Sequence, residues 1–319
     1  MLLETFAYGE IHALQTVTVA KNPTTPIPNG SYWVILIHGG AWRDPTQTAL
    51  GYLQPAAATI LSPSSPRNPS KALPIAGLAS ISYRLSRHPN HPQTASTTPR
   101  TDLRAATHPD HIQDIHAALR FLDEKYDIGE RYILVGHSCG ATLAFQSVMG
   151  RFHTEEEEEE EEEDVFVDHH HHHPSPTAIL GMAGIYDLRL LRDSHRDVYA
   201  YQEFIEGAFG PDESVWDFVS PAVVKGAEGV EGAWHCGRLV VLTHSAGDGL
   251  VDPEQRDAMR DALGTWRSRS RSPSGSVNGE RQVQYLSVEG EHDEAWEKGE
   301  ELARAIAFTF EKLEEMGIL

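Results

Sequence analysis

The chain of 319 residues is 40% hydrophobic and 23% charged, enough apolar material for a substantial core, which excludes a disordered chain and a disulfide-stapled miniprotein. Its 26 basic and 47 acidic side chains give a formal charge of −21; ten of the acids are Glu155 to Glu163 and Asp164, and without that run 37 acids still face 26 bases, a balance of −11. A surface so acidic repels phosphate backbones, so nucleic acid is excluded as a partner and a neutral or zwitterionic small molecule is favoured.

The first ten residues contain Glu4 and Glu10 but no Lys or Arg, so no secretory signal is expected. Short, nearly continuous apolar runs then recur: Trp33 to Ile37, Ile75 to Tyr83, Tyr132 to Val135, Ala178 to Met182, Leu239 to Thr243 and Val283 to Val288. Runs of this length suit strands buried on both faces of a mostly parallel sheet. They are also far below the roughly 18 apolar residues of a membrane span, so no membrane partner is expected. Helical patterns lie between them. Pro109 to Tyr126 places Ile112, Ile115, Leu119 and Leu122 on one face, a second helix begins after Cys139, and a last one runs from about Glu294 to Leu313 with Leu302, Ile306, Phe310 and Leu313 inward. Strand and helix alternate, which predicts an α/β class.

Three segments interrupt the alternation and read as insertions on one domain spanning 1–319. Residues 86–109, rich in Pro, Thr and His, predict a long surface loop. Residues 153–176 join the Glu run to five histidines, His169 to His173, a composition that predicts a disordered, solvated insertion with at most adventitious metal affinity. Residues 267–281 form an Arg/Ser-rich loop. The two cysteines, Cys139 and Cys236, read as free thiols of a reducing compartment, and the predicted location is the cytosol. No internal repeat is found, no cofactor or metal is called for, and a homodimer is left open.

The strongest local signal is Gly136-His137-Ser138-Cys139-Gly140, G-x-S-x-G between a strand and a helix, the context in which a sharp turn lifts a nucleophilic serine out of the sheet. The bland alternative is a glycine-rich turn whose serine caps the helix. Such a nucleophile needs donors for the developing oxyanion. His38-Gly39-Gly40-Ala41-Trp42 follows the strand Trp33 to Ile37, and the N–H groups of Gly39, Gly40 or Ala41, with that of Cys139, are the candidates. The base and its orienter should follow in the order Ser, acid, His, each just past a strand. His292 follows Val283 to Val288 and is the only histidine after His244. Asp248 follows Leu239 to Thr243; Asp252, four residues on, is the second candidate acid and more naturally caps the next helix. In this arrangement His292 takes the Ser138 proton while Asp248 fixes the imidazole tautomer. His38 and His137 read as supports of the two loops.

Together, His38-Gly39-Gly40-Ala41-Trp42, Ser80-Ile81-Ser82-Tyr83-Arg84-Leu85-Ser86, Gly136-His137-Ser138-Cys139-Gly140 and Glu203-Phe204-Ile205-Glu206-Gly207-Ala208-Phe209-Gly210 resemble the fungal kynurenine formamidases, which are α/β-hydrolases. The resemblance runs from about residue 30 to the C-terminus, the insertions excepted, and the family's H-G-G-x-W motif falls on residues 38–42. It implies an α/β-hydrolase fold with a Ser138, Asp248, His292 triad, and hydrolysis of N-formyl-L-kynurenine to L-kynurenine and formate in tryptophan breakdown toward NAD. The chemistry suits the residues: a formyl carbon needs almost no acyl pocket, and His292 can protonate the aromatic amine that leaves. Trp42 and Tyr186 are candidates to flank an aryl ring. A carboxylesterase of small acyl esters would use the same triad, and a catalytically silent binding protein is opposed by the complete Ser, Asp and His set.

Overall fold

Strands rich in apolar residues find a place where both faces are covered, and each of the six predicted runs lies in a strand: Tyr32–Ile37, Tyr132–His137, Ala178–Met182 and Leu239–Ser245 are buried throughout, Ile75–Ile81 is buried from Gly77 onward, and Gln282–Val288 is half-exposed at the sheet edge. The computed structural model describes residues 1–21, 30–61, 73–152, 174–268 and 280–319. The insertion expected at 153–176 therefore lies outside the described residues except for 174–176, and the Arg/Ser-rich loop except for 267, 268, 280 and 281.

Eight strands form one sheet: β1 (Leu2–Ala7), β2 (Thr16–Lys21), β3 (Tyr32–Ile37), β4 (Ile75–Ile81), β5 (Tyr132–His137), β6 (Ala178–Met182), β7 (Leu239–Ser245) and β8 (Gln282–Val288). Their order is β1-β2-β4-β3-β5-β6-β7-β8. The pairs β1–β2 and β2–β4 are antiparallel and the rest parallel. β1 and β2 were not among the predicted runs: β1 is a largely exposed edge, and Thr16, Thr18 and Lys21 interrupt the apolar signal of β2.

The helices are α1 (Ala49–Ile60), α2 (Asp110–Tyr126), α3 (Cys139–Gln146), α4 (Leu188–Ser194), α5 (Tyr199–Phe209), α6 (Glu213–Val219), α7 (Val230–Ala233), α8 (Pro253–Ser268), α9 (Glu294–Glu297) and α10 (Glu300–Glu315). Side chains alternate along a strand, so the sheet has two cores. Ile35, Ile37, Leu134 and Ile179 face α2, α3 and α8, while Val34, Leu36, Ile133 and Val135 face α1 and α10. The last predicted helix is broken at Gly299. That residue has φ +74°, and a Cβ there would stand 2.5 Å from the carbonyl of Pro55 in α1. Among the described residues, no helix is long and apolar enough to cross a membrane.

The predicted surface loop 86–109 is pinned at its start. Ser86 N–H donates to the Trp42 carbonyl at 2.9 Å and Ser86 Oγ to the Ala106 carbonyl at 2.8 Å. Just before it, the chain leaving β4 is fixed by one buried carboxylate. Asp114 of α2, 1% exposed, accepts from Gln15 Nε2 at 2.8 Å, from the Arg84 backbone N–H at 2.8 Å and from Arg84 Nε at 2.9–3.0 Å. Removing one partner of such a pair leaves the other buried and uncompensated. Asp114→Ala should cost about 3–5 kcal/mol, read as a lowered denaturant midpoint; an unchanged midpoint would mean that Asp110, which also binds Arg84, suffices.

Candidate active site

Between β5 and α3 the chain turns so tightly that Ser138 takes φ 53° and ψ −123°. The glycines on either side are required by contact. A Cβ on Gly136 would sit 2.3 Å from the Gly140 carbonyl, and one on Gly140 2.3 Å from the carbonyl of Ile37. The Ser138 N–H donates to Met182 O at 2.9 Å, so the turn is tied to the next strand. Its side chain makes no cap bond to α3, which removes the reading of Ser138 as a helix cap and leaves the hydroxyl available for chemistry.

The loop after β3 passes directly over this turn. A Cβ on Gly39 would lie 3.1 Å from Ser138 Cβ and 2.7 Å from His137 Nδ1, so only glycine lets the backbone come so near Ser138. Gly40, Ala41 and Trp42 all have positive φ, 96°, 48° and 59°. Trp42 N–H is spent on Cys139 Sγ at 3.3 Å, and the candidate oxyanion donors remain Gly39, Gly40 and Ala41. Cys139, first residue of α3, adds an N–H that no carbonyl of its own helix can take. Burial pushes the Cys139 thiol up to about 11, which keeps it protonated and inert at neutral pH.

Sequence reasoning did not give Tyr83 a role, although it lies in the Ser80 to Ser86 motif. Its hydroxyl reaches the carbonyls of His38 at 3.1 Å and Gly39 at 3.3 Å, and its ring stacks on His38 with centroids 4.5 Å apart. His38 Nδ1 donates to the Gly39 carbonyl at 2.9 Å. Burial lowers the His38 pKa to about 4, so it braces the loop as a neutral ring.

Asp248 and His292 meet directly. His292 Nδ1 donates to Asp248 Oδ2 at 2.8 Å, the tautomer that leaves Nε2 free to accept a proton. Asp248 Oδ1 accepts the N–H groups of Leu250 at 2.9 Å and Val251 at 3.0 Å. Burial pushes this carboxyl up, but the hydrogen bond and charge of His292 and those two N–H groups outweigh it and hold the pKa below the ordinary value. The loop carrying His292 is held in turn by Ser245 Oγ, which donates to Gly290 O at 2.5 Å, and by His137 Nε2, which donates to the His292 carbonyl at 3.0 Å. Burial, then the neighbouring His292, lower the His137 pKa to about 3. Through His137 the base lies beside the residue preceding Ser138; the Ser138 hydroxyl itself is not hydrogen-bonded to His292, a common state before substrate binds.

Asp252, the second candidate acid, points elsewhere. Its Oδ2 is 2.9 Å from His195 Nε2, and His195 stacks on Tyr201 with centroids 4.0 Å apart. Tyr201 donates to the Leu250 carbonyl at 2.7 Å, so α5 braces the loop that carries Asp248. Trp42 and Tyr186 are corrected as aryl-flanking residues: they are 0% and 1% exposed. Trp42 packs edge-on against Phe209 with centroids 4.9 Å apart, and Tyr186 fills the space over Gly181 and Gly184. Among the described residues, two groups bring metal-ligating atoms together, Asp44 with His88 and His91, and His137 with His292 and Asp293. In the first, Asp44 Oδ1 already accepts from Thr46 and His88 Nδ1 from Asn90 N–H; the second contains the candidate base.

The family profile BD-FAE matches residues 25–263. A kynurenine formamidase-like hydrolase of Fusarium equiseti, fscH, is 36% identical over 90% of this chain and 85% of its own length. This chain belongs to the kynurenine formamidase family. A second relative, kynurenine formamidase avaC of Aspergillus versicolor, is 34% identical over 90% of this chain and 92% of its own. Among solved structures, esterase B of Lactobacillus rhamnosis has a TM-score of 0.61 at 18% identity, covering 99% of this chain and 88% of that one. A thermophilic esterase of Thermogutta terrifontis has 0.57 at 14% identity, covering 99% and 95%. These two likenesses establish the α/β-hydrolase fold.

The geometry of the loop over Ser138 generates two predictions. Gly40→Val, at a position with φ 96°, should displace the adjoining N–H groups and lower kcat by about 10²- to 10³-fold in a protein whose circular dichroism is unchanged. Tyr83→Phe removes the donor to two loop carbonyls and should lower kcat by about tenfold; unaltered kinetics in either variant would place the oxyanion donors elsewhere. For Asp248 the depressed folded pKa means a stabilisation present above the pKa of the unfolded chain and lost as pH falls through the folded value. Asp248→Asn should therefore flatten the acid side of a stability-against-pH curve.

Proposed function

We propose that Ser138, His292 and Asp248 form the catalytic triad of an enzyme that hydrolyses N-formyl-L-kynurenine to L-kynurenine and formate. The substrate assignment is carried by the two kynurenine formamidase relatives that match over 90% of the chain, and the Asp248–His292 hydrogen bond of 2.8 Å supports the chemistry. Ser138 Oγ attacks the formyl carbon as His292 Nε2 takes its proton, and the charge that develops on the formyl oxygen is received by the N–H of Cys139 and those of Gly39, Gly40 or Ala41. His292 returns the proton to the anilide nitrogen, the C–N bond breaks and L-kynurenine leaves. Water, deprotonated by the same His292, then attacks the formyl ester of Ser138; the C–O bond to Ser138 breaks as His292 returns the proton to Oγ, and formate leaves. Asp248 stays ionised throughout and stabilises the imidazolium.

The acyl substituent is a hydrogen, so the reaction asks for space only on the amine side, which fits a nucleophile of which only 6% is exposed. With its free thiols, Cys139 and Cys236, the enzyme is assigned to the cytosol, where it would feed tryptophan breakdown toward NAD.

The test is formate release by purified variants. Ser138→Ala and His292→Ala should each remove activity by about four to six orders of magnitude, since triad members act as a unit. Asp248→Asn should cost about 10⁴-fold, and Asp252→Asn far less. A crippled Asp252→Asn beside a nearly silent Asp248→Asn would overturn the assignment of the acid.

A further inference from the structure

Arg43, the residue that follows the loop over Ser138, lines a cleft of about 630 Å³ together with Arg87, His88, Arg104, Glu203 and Gly207. Its size is that of a small-molecule site. Three arginines in one cleft of a chain with charge −21 make a local positive field against the overall sign. Arg43 directly follows Trp42, whose N–H binds Cys139 Sγ, and Cys139 follows Ser138. With consecutive Cα atoms about 3.8 Å apart, this path keeps the Arg43 Cα within about 15 Å of the Ser138 Cα, and the Arg43 side chain adds its own reach.

Arg43 is unusually enclosed for a cation, with its side chain 11% exposed, and its guanidinium lies 5.8 Å from the Phe204 ring centroid. Among the described residues, its carboxylate partner is Glu203, with N···O 3.5 Å and 35% of the Glu203 side chain exposed. That separation is longer than the roughly 2.7–3.2 Å of a hydrogen bond. A guanidinium has five donors in a fork that fits a carboxylate, and an acid offers two oxygens to an ammonium. The loose pair thus presents an unspent donor fork and an unspent acceptor side by side, complementary to a group carrying both a carboxylate and an ammonium on one carbon.

We propose that this cleft is the subsite for the α-amino-acid headgroup of the substrate, Arg43 receiving its carboxylate and Glu203 its ammonium. The proposal rests on the formamidase reading and deepens it: these two residues select zwitterionic aryl formamides over plain ones. It also gives a role to Glu203, the first residue of the Glu203 to Gly210 motif.

The experiment compares three substrates on wild type, Arg43→Gln and Glu203→Gln: N-formyl-L-kynurenine, its deamino analogue, which keeps the carboxylate, and its decarboxy analogue, N-formylkynuramine, which keeps the ammonium. Arg43→Gln should raise KM about 10- to 100-fold for the two carboxylates and markedly less for N-formylkynuramine. Glu203→Gln should show the mirror pattern, penalising the two ammonium substrates. In both variants kcat should move less than KM, the mark of lost ground-state binding. Equal losses on all three substrates would reduce the pair to a structural ion pair and overturn the proposal, as would no loss at all. If wild type cleaves none of the three formamides yet hydrolyses aryl butyrates, the formamidase reading itself fails and the subsite with it; a wild type active on N-formyl-L-kynurenine with non-selective variants sinks the subsite alone.

Discussion

Ser138 is held with a backbone that a side-chain-bearing residue adopts at a cost of about 1–3 kcal/mol, φ 53° with ψ −123°, and most of the surrounding structure can be traced to that constraint. A turn so sharp brings β5 and α3 within contact distance of each other and of β3, so Gly136 and Gly140 have room for hydrogen alone. The strain is sustained by what lies around it: parallel pairing of β5 with β3 and β6 on either side, and hydrogen bonds from Ser138 N–H to Met182 and from Ile185 N–H back to the Ser138 carbonyl. The Ser138 side chain thereby lies against the loop after β3, where a Cβ on Gly39 would stand 3.1 Å from Ser138 Cβ.

The second organising feature is that the groups bracing the site are neutral. His38 and His137 are both buried and carry pKa values pushed to about 4 and about 3, and the Tyr83 phenol is raised far above its usual range by burial. A cation at His137, whose ring centroid is 4.6 Å from that of His292, would oppose protonation of the base. Neutral donors fix the loops without that penalty. Asp248 is hydrogen-bonded to His292 at 2.8 Å, and in the proposed mechanism its charge favours the imidazolium that forms as the serine attacks.

The sequence made the two Gly-rich motifs and six of the eight strands legible because both rest on local rules, period and turn chemistry. β1 and β2 escaped because Thr and Lys in β2, and an exposed edge in β1, dilute the apolar signal. The break at Gly299 escaped because its cause is Pro55, far away in the chain. Asp248 and Asp252 are four residues apart, and order along the chain could only rank them; the fold separates them, one against His292 and the other against His195. Tyr83 was visible as a motif residue, yet its contact with the carbonyls of residues 38 and 39 joins elements that only the sheet order brings together. Trp42 and Tyr186 are candidates to flank an aryl ring from the sequence, and burial returns them to the core.

Substrate choice is where the account is most exposed. A site shaped around a formyl group should be tight at the acyl carbon and open toward the amine, whereas the esterase likenesses establish shared architecture without a shared pocket. The decisive measurement is kcat/KM for N-formyl-L-kynurenine, its N-acetyl counterpart and an aryl butyrate on the purified protein. Each added methylene is worth about 1–3 kcal/mol in a hydrophobic pocket and more against a wall, so the formyl compound should exceed the acetyl compound by well over tenfold and exceed the butyrate as well. A butyrate that wins, with no detectable formate from N-formyl-L-kynurenine, would contradict the account and establish a carboxylesterase in its place.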